Sequence, residues 1–140
     1  MIKGLIIMDL KVISNDKGAV YHGMRHTDAG FSTFEEIYFS LIKQNALKAW
    51  KMHDKMTLNL VVPVGEVRFN FIELDENDAI KDRVEINVGD TNYCRVTVPP
   101  KIIFGLKGLS NNTNLVSNIS NLVHDDQECT IFPEDKFQFK

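Results

Sequence analysis

Residues 47–74 read LKAWKMHDKMTLNLVVPVGEVRFNFIEL, and this stretch holds three consecutive strand-like runs. The runs are Leu47–His53, Leu58–Val64 and Glu66–Leu74, each short and rich in β-branched or aromatic residues. In the third run, apolar residues at 67, 69 and 71 alternate with Arg68 and Asn70, which is the period of a half-buried strand. The stretch therefore predicts three antiparallel strands joined by tight turns.

The same pattern recurs along the whole chain of 140 residues. Turn residues such as Asn15–Gly18 and Ser110–Asn112 separate the runs, and one helical turn is expected near Asn77–Asp82. Short strands at this spacing predict an all-β fold, closed or double-sheeted because such architectures protect sheet edges. No linker or repeat divides residues 1–140, so we expect a single domain. The further runs are Gly4–Ile13, Gly18–Met24, Glu36–Leu41, Arg83–Val88, Tyr93–Val98, Ile102–Leu109, Asn114–Ser120 and Thr130–Phe132.

Composition excludes several classes of protein. There are 16 Lys+Arg against 19 Asp+Glu, a net charge of -3 with scattered basic residues, which argues against nucleic-acid binding. No stretch approaches the roughly 20 apolar residues of a membrane span, and no secretory leader is recognisable, so we expect a cytoplasmic protein. Two cysteines, Cys94 and Cys129, are too few for a disulfide framework or a zinc ribbon, and buried free thiols are expected.

Strict alternation orients the side chains of the run Leu47–His53. Lys51 and His53 share one face, whereas Lys48 and Trp50 share the other. Period-2 reasoning alone leaves open whether a charged face meets solvent or the space inside a barrel.

The spacing of several residues resembles the two motifs of the cupin family. Lys51-x-His53-x4-Leu58-x6-Gly65 matches the first motif, and residues 99–104 match the second. Three of the four metal-ligand positions hold Lys51, Leu58 and Phe104, which leaves only His53. A metal ion needs about three or four imidazole or carboxylate ligands. The resemblance therefore implies a cupin-like jelly roll (a double-stranded β-helix) with no metal and no cofactor.

Five segments resemble metal-free members of that fold that act on nucleotide sugars, the dTDP-4-dehydrorhamnose 3,5-epimerases. They are Asn15–Gly18, Glu36–Ser40, Lys48–His53, Val98–Pro100 and His124–Glu128. In length the chain is closer to the similar dTDP-sugar 3,4-ketoisomerases. The resemblance implies epimerisation or isomerisation of a dTDP-4-keto-6-deoxyhexose in deoxysugar and surface polysaccharide biosynthesis. It also implies a homodimer.

The residues that the resemblance carries over are unevenly kept. The epimerase base falls on Lys51, its lysine partner on Leu58 and its tyrosine acid on or beside Val123, while the histidine after the Pro-Pro turn falls on Phe104. Of the ketoisomerase histidine pair, one member becomes Lys51 and the other survives as His53. The standard set of catalytic groups is therefore largely substituted.

The reaction that the resemblance implies assigns a role to each remaining polar residue. Removal of a proton beside a carbonyl needs a base with a pKa near neutrality, and His53 is the candidate. The enolate oxygen needs a donor, for which the candidates are Tyr38 and Lys51. The diphosphate needs cationic groups, which Lys48 and Arg25 could supply. Arg68 and Glu128 complete the candidates for substrate binding. Arg68 alternates with an apolar face and is expected to line the space inside the barrel, and Glu128 matches an acidic position of the epimerases.

Two other interpretations stay open at this point. The chain could be a non-catalytic sugar-nucleotide-binding or structural member of the fold, since apolar residues stand at Leu58, Phe104 and Val123. Alternatively, Lys51 could form a Schiff base with the keto group. For single residues the structural interpretations are ordinary ones, a hydrogen-bonded barrel histidine for His53 and a solvent-reaching side chain for Lys51.

Overall fold

Regular structure in the chain consists almost entirely of β-strands. The computed structural model describes all residues 1–140 and contains twelve strands and two 3-10 turns. No helix is long and apolar enough to cross a membrane. The elements are β1 Ile6–Asp9, β2 Val12–Asn15, β3 Gly18–Tyr21, β4 Glu36–Leu41, β5 Leu47–His53, β6 Leu58–Val64, β7 Glu66–Leu74, β8 Ile80–Gly89, β9 Cys94–Val98, β10 Ile103–Gly108, β11 Leu115–Ser120 and β12 Cys129–Ile131, with 3-10 turns at Asp126–Glu128 and Glu134–Lys136.

Two five-stranded antiparallel sheets build the fold. The first has the order β1-β9-β6-β11-β4 and the second the order β12-β5-β10-β7-β8. A separate hairpin, β2–β3, pairs with neither sheet. This double-sheet arrangement confirms the predicted all-β, cupin-like jelly roll.

The main hydrophobic core lies between the two sheets. Alternate residues of β6 face alternate residues of β7 across it, as the period of two requires. Gly65 joins these strands at a φ of 81°, and a Cβ there would lie 2.2 Å from the carbonyl oxygen of Thr113, so only glycine fits this turn. The residues that β6 and β7 contribute to this core are Leu58, Leu60, Val62, Val67, Phe69 and Phe71.

The helical turn expected near Asn77–Asp82 is absent, and that prediction is wrong. The Asp75 carboxylate accepts hydrogen bonds from the N–H groups of Asn77 and Ala79, at 2.8 and 2.9 Å. A side chain that caps its own turn in this way favours a tight hairpin over a helix. β8 therefore starts at Ile80.

A β-bulge in β5 overturns the predicted alternation of that strand. Phe104 of β10 pairs with Lys51, but Leu106, two residues later, pairs with Lys48, three residues earlier. One extra residue in β5 shifts the pattern, so both Ala49 and Trp50 pack on the outer face. Lys48 therefore shares the inner face with Lys51, contrary to strict alternation.

A loop between β3 and β4 crosses the outer face of the first sheet. The Arg95 guanidinium on β9 is fully buried and holds this loop. It donates to the carbonyl oxygen of Gly23 at 2.8 Å and to the carboxylate of Asp28 at 3.0 Å. Farther along, the Asn59 amide donates to the carbonyl oxygen of Gly30 at 3.0 Å. The loop therefore lies on the side of the sheet opposite the core.

The packing between the sheets predicts a large stability loss for Phe69→Ala. Phe69 is completely buried in the main core, and its truncation leaves a cavity that costs about 3–5 kcal/mol in unfolding free energy. Phe34→Ala is the matched control, since Phe34 is exposed, and should cost under about 0.5 kcal/mol. Urea denaturation measures both; equal losses would contradict this assignment of the core.

Candidate functional site

A pocket of about 410 Å³ opens between β4, an edge strand of the first sheet, and β5, which lies next to the edge strand β12 of the second sheet. One side comes from β4 and β11 and the other from β5, β10 and β12, so the pocket lies at the open side of the jelly roll. Its lining residues are Tyr38, Ser40, Leu47, Lys48, Ala49, Trp50, Lys51, Phe104, Leu106, Asn118 and Ile131.

The charge inside this pocket is positive. Lys48 and Lys51 both line it, no carboxylate does, and neither lysine takes part in any ion pair of the chain. In a protein with a net charge of -3, two unpaired ammonium groups in one concave site attract an anion. The pocket is therefore suited to a phosphate-bearing or carboxylate ligand.

The opposite wall carries neutral hydrogen-bonding groups. The Asn118 amide donates to the Ser40 hydroxyl at 3.2 Å and to the carbonyl oxygen of Tyr38 at 3.3 Å, which fixes its orientation. Burial raises the pKa of Tyr38, and the negative charge of Glu36 adds to this effect. The Tyr38 phenol therefore stays protonated at neutral pH and can donate a proton or a hydrogen bond into the pocket.

His53 and Glu128 form a buried pair beside the pocket. His53 is 4% exposed, and its Nδ1 is hydrogen-bonded to Oε1 of Glu128. The other carboxylate oxygen, Oε2, accepts from the N–H groups of Lys55 and Met56 at 3.1 and 3.2 Å. Glu128 reaches this position from the 3-10 turn that precedes β12, where the Asp125 side chain caps the turn. Two residues distant in the sequence thus meet because β12 pairs with β5.

The environment of the pair keeps the imidazole neutral. Burial lowers the pKa of His53, although its hydrogen bond to the Glu128 carboxylate opposes this effect. Burial raises the pKa of Glu128, but the hydrogen bond with His53 and the two backbone N–H groups outweigh it, so the net pKa is lowered. A neutral imidazole that donates Nδ1–H to a carboxylate keeps its lone pair on Nε2. That Nε2 atom is buried and has no hydrogen-bond partner in the protein.

Phe104 connects this pair to the pocket. Its ring stacks on the His53 imidazole with centroids 6.2 Å apart and planes inclined by 24°, and the same residue lines the pocket. His53 itself is not a lining residue. The free Nε2 therefore belongs to a side chain that lies directly behind the pocket wall.

The structure brings together only some of the predicted site residues. Tyr38, Lys48 and Lys51 line one pocket, with His53 behind it. Glu128 is bound to His53 rather than placed among the lining residues.

Arg25 and Arg68 lie elsewhere in the protomer. Arg25 borders a separate cleft of about 170 Å³ on the loop that Arg95 holds. Arg68 faces outward from β7, because its neighbours 67 and 69 fill the core, and its Nε donates to Asn87 Oδ1 at 2.8 Å. The expectation that Arg68 lines the space between the sheets is therefore wrong.

Ser40 and Asn118 were missed by sequence reasoning. Ser40 shares the face of Tyr38 by simple alternation along β4, so the signal was present in the pattern. Asn118 comes into the pocket only because β11 pairs with β4, which no local pattern shows.

The buried pair predicts that acid destabilises the fold in two stages. Unfolding restores the ordinary pKa of 6.5 to His53, so His53 takes up a proton at a higher pH in the unfolded chain than in the folded chain, where its pKa is lowered. The lowered pKa of Glu128 adds a second loss below its ordinary value of 4.5. For each proton that the unfolded chain takes up in excess, the unfolding free energy falls by at most about 1.4 kcal/mol per pH unit.

Thermal or urea unfolding from pH 7 to 4 measures this effect. We expect His53→Gln to lose less stability between pH 7 and 5 than the unsubstituted chain. The exposed His26→Gln is the control and should follow the unsubstituted chain. Identical profiles for all three proteins would show that His53 is not a buried neutral group.

Solved structures similar to this chain are enzymes of nucleotide-sugar metabolism. The dTDP sugar isomerase from Desulfovibrio desulfuricans G20 is 29% identical, with a TM-score of 0.89 over 96% of this chain and 87% of that one. A dTDP-4-dehydrorhamnose 3,5-epimerase from Sulfolobus tokodaii is 12% identical, with a TM-score of 0.82 over 98% and 81% of the two chains. A sugar 3,4-ketoisomerase from Thermoanaerobacterium thermosaccharolyticum is also 12% identical, with a TM-score of 0.76 over 93% and 89%. At 12% identity the last two show a shared fold.

No protein-family model and no curated protein matches the sequence. The jelly roll, the pocket at its open side and the 29% identity with a dTDP sugar isomerase nevertheless agree. The chain has the cupin-like jelly-roll fold of the dTDP-4-dehydrorhamnose 3,5-epimerases, and it is similar in sequence and structure to a dTDP sugar isomerase.

Proposed function

We propose that the chain is an isomerase or epimerase that binds a dTDP-4-keto-6-deoxyhexose and moves a proton on a carbon beside its keto group. The observation that carries the proposal is the His53–Glu128 pair, whose unpartnered Nε2 lies behind a pocket with two unpaired lysines. The ligands of related structures support the substrate class. The ketoisomerase from Thermoanaerobacterium thermosaccharolyticum was solved with TDP and, as a mutant, with TDP-4-keto-6-deoxyglucose.

The C4 carbonyl acidifies the neighbouring C–H bond, and in this proposal His53 is the base. The C–H proton passes to Nε2, and the electron pair of that bond forms the enolate. Glu128 holds the imidazole in the tautomer with a free Nε2 lone pair and stabilises the imidazolium that results. For this transfer the ring of Phe104, which stacks on His53 and lines the pocket, has to move aside so that the sugar reaches Nε2.

Two groups in the pocket can stabilise the enolate or donate a proton to it. The Lys51 ammonium stabilises the developing charge on the enolate oxygen. The Tyr38 phenol, whose pKa is raised by burial, is the proton donor on the opposite wall. Return of a proton to the same carbon with inverted configuration is epimerisation. In 3,4-ketoisomerisation, the proton of the C3 hydroxyl passes to the C4 oxygen and a proton is added to C4, which leaves the carbonyl at C3.

Lys48 binds the diphosphate in this proposal. It is an exposed residue of the pocket lining, at the open side of the jelly roll, and has no carboxylate partner. An ammonium acts there as a point charge, since it lacks the bidentate geometry of an arginine.

The alternative of a non-catalytic binding protein is less well supported. That interpretation depends on an apolar interior, and Leu58 and Phe104 are indeed buried. However, the apolar residues lie beside a pocket that retains a phenol, an amide and two amines. The buried histidine–carboxylate pair also leaves one imidazole nitrogen free beside the pocket, which favours an acid–base role.

Proton NMR in deuterium oxide with dTDP-4-keto-6-deoxyglucose tests the catalytic proposal. With the protein present, the C3 proton should exchange for deuterium and its signal should disappear. If the protein is a 3,5-epimerase, the C5 proton signal should disappear as well. His53→Ala should slow this exchange by at least about 100-fold, the usual contribution of a general base. The control His26→Ala should exchange at the unsubstituted rate. Line broadening of the thymidine signals without any exchange would instead support the non-catalytic alternative.

We also propose that the chain forms a homodimer through β4 and the β2–β3 hairpin. All eight residues of the hairpin are exposed and pair with no sheet, although isolated hairpins are marginally stable in water. The outward residues of β4, namely Ile37, Phe39 and Leu41, are 43, 61 and 71% exposed beside a free strand edge. Arg25 borders a different cleft from its own pocket, so in a dimer it would serve the pocket of the other subunit.

Sedimentation velocity tests the dimer. Phe39→Lys places a charge in the proposed interface and should shift the protein to monomers, with a loss of dimer affinity of at least about tenfold. Ile80→Lys is the matched control, because Ile80 is similarly exposed at the start of β8 and away from β4. A monomeric unsubstituted protein would remove both the interface and the proposed role of Arg25.

A further inference from the structure

The pocket contains two lysines, Lys48 and Lys51, only because β5 has a bulge. In a regular strand, residues 48 and 51 face opposite sides, and Lys48 would leave the space between the sheets. With the bulge, Lys48 pairs with Leu106 and Lys51 pairs with Phe104, and all four residues line the pocket. Whatever holds the bulge in place therefore determines the charge that an anionic ligand meets.

Trp50 packs this bulge against β10 on the outer face of the sheet. It is 1% exposed, and its ring lies directly over Gly105 of β10. A Cβ at position 105 would lie 2.9 Å from two ring carbons of Trp50 and 2.9 Å from the Cβ of Ala49. Contacts this short do not occur, so the missing side chain of Gly105 is what allows both bulge residues to pack on the outer face.

Residues 132–140, here called the strap segment, cover Trp50 from the other side. Backbone hydrogen bonds join Trp50 and Phe132 in both directions, at 3.3 and 2.9 Å, and the indole N–H donates to the carbonyl oxygen of Glu134 at 3.1 Å. The ring of Phe137 meets the indole edge to face at 5.7 Å, and Phe139 lies at 5.9 Å.

The far end of the strap segment is anchored to the same sheet. The buried Asn70 amide donates to the carbonyl oxygen of Lys140 at 3.0 Å and accepts from its N–H at 2.9 Å. Arg83 lies over the Trp50 ring at 6.0 Å and donates to the carbonyl oxygen of Gln138. The segment is thus fixed along its length, and Trp50 is enclosed between it and Gly105.

We propose that the strap segment is a positioning element of the anion site: by holding Trp50 on Gly105 it maintains the bulge that turns Lys48 into the pocket. Neither Phe137 nor Phe139 lines the pocket, so both act through Trp50. This inference rests on the proposed function, in which the pocket binds the diphosphate of a nucleotide sugar.

A double-mutant cycle on thymidine diphosphate binding, followed by calorimetry at constant salt, tests the proposal. Lys48→Met should weaken binding by about tenfold or more, because a charge-assisted hydrogen bond is lost. Phe137→Ala should weaken it severalfold, through misplacement of Lys48. In the double variant the two losses should not multiply, because both remove the same contact. The dependence of binding on salt should also become shallower to the same extent in both single variants.

Three further variants separate positioning from general loss of stability. Phe137→Leu should restore most of the affinity by refilling the space beside Trp50. Val88→Ala removes a buried side chain from the main core, away from the pocket, and should leave affinity unchanged at similar thermal stability. Phe139→Ala is the milder substitute if Phe137→Ala does not fold, since Phe139 is only partly buried.

The outcomes distinguish the two proposals. Unchanged binding in Lys48→Met would overturn the assignment of the diphosphate to Lys48 in the proposed function. Weakened binding in Lys48→Met, with losses that multiply in the double variant, would overturn the positioning role alone. Equal weakening by Val88→Ala would do the same.

Discussion

The packing of the Trp50 ring on Gly105 determines which side chains of β5 face the space between the sheets. One extra residue in the strand moves the alternation by one position, so the lysines at 48 and 51 come to the same side. The contact is possible only where β10 lacks a side chain, because a Cβ would overlap the indole. Packing on the outer face of the second sheet thus sets the electrostatics of the pocket on its inner face.

The contacts of the His53–Glu128 pair both fasten a part of the fold and determine the tautomer of the imidazole. Glu128 satisfies two backbone N–H groups after β5 and the imidazole at the end of β5, so it fastens the 3-10 turn and β12 to the sheet. The same hydrogen bond selects the tautomer in which Nε2 is free. A buried carboxylate is stable in its ionised form when it accepts hydrogen bonds from backbone N–H groups, and it can then hold a neighbouring imidazole in place. Beside the substituted positions 51, 58 and 104, the chain therefore keeps one hydrogen-bonded histidine–carboxylate pair.

Several elements could be predicted from the sequence because local rules decide them. The bounds of β4, β5, β6 and β7 agree with the predicted runs, since turn residues interrupt β-branched and aromatic segments at each end. The helical turn expected near Asn77–Asp82 was wrong because the Asp75 side chain caps a hairpin there. Arg68 was placed inward although its apolar neighbours 67 and 69 already fill that face of β7. In both cases the position of the residue depends on its hydrogen-bonding or packing partners in the folded chain.

The sequence by itself determined the strands, the all-β class, the absence of a complete set of metal ligands at the cupin positions, and His53 and Tyr38 as candidates, because each depends on residue type and short spacing. Only the tertiary structure decided that Glu128 pairs with His53, that Lys48 joins Lys51, and that Ser40 and Asn118 complete the opposite wall. Those facts depend on which strands are neighbours and on the position of one bulge. Strand pairing and bulges are set by packing between residues far apart in the chain, and period-2 reasoning along one strand contains no information about them.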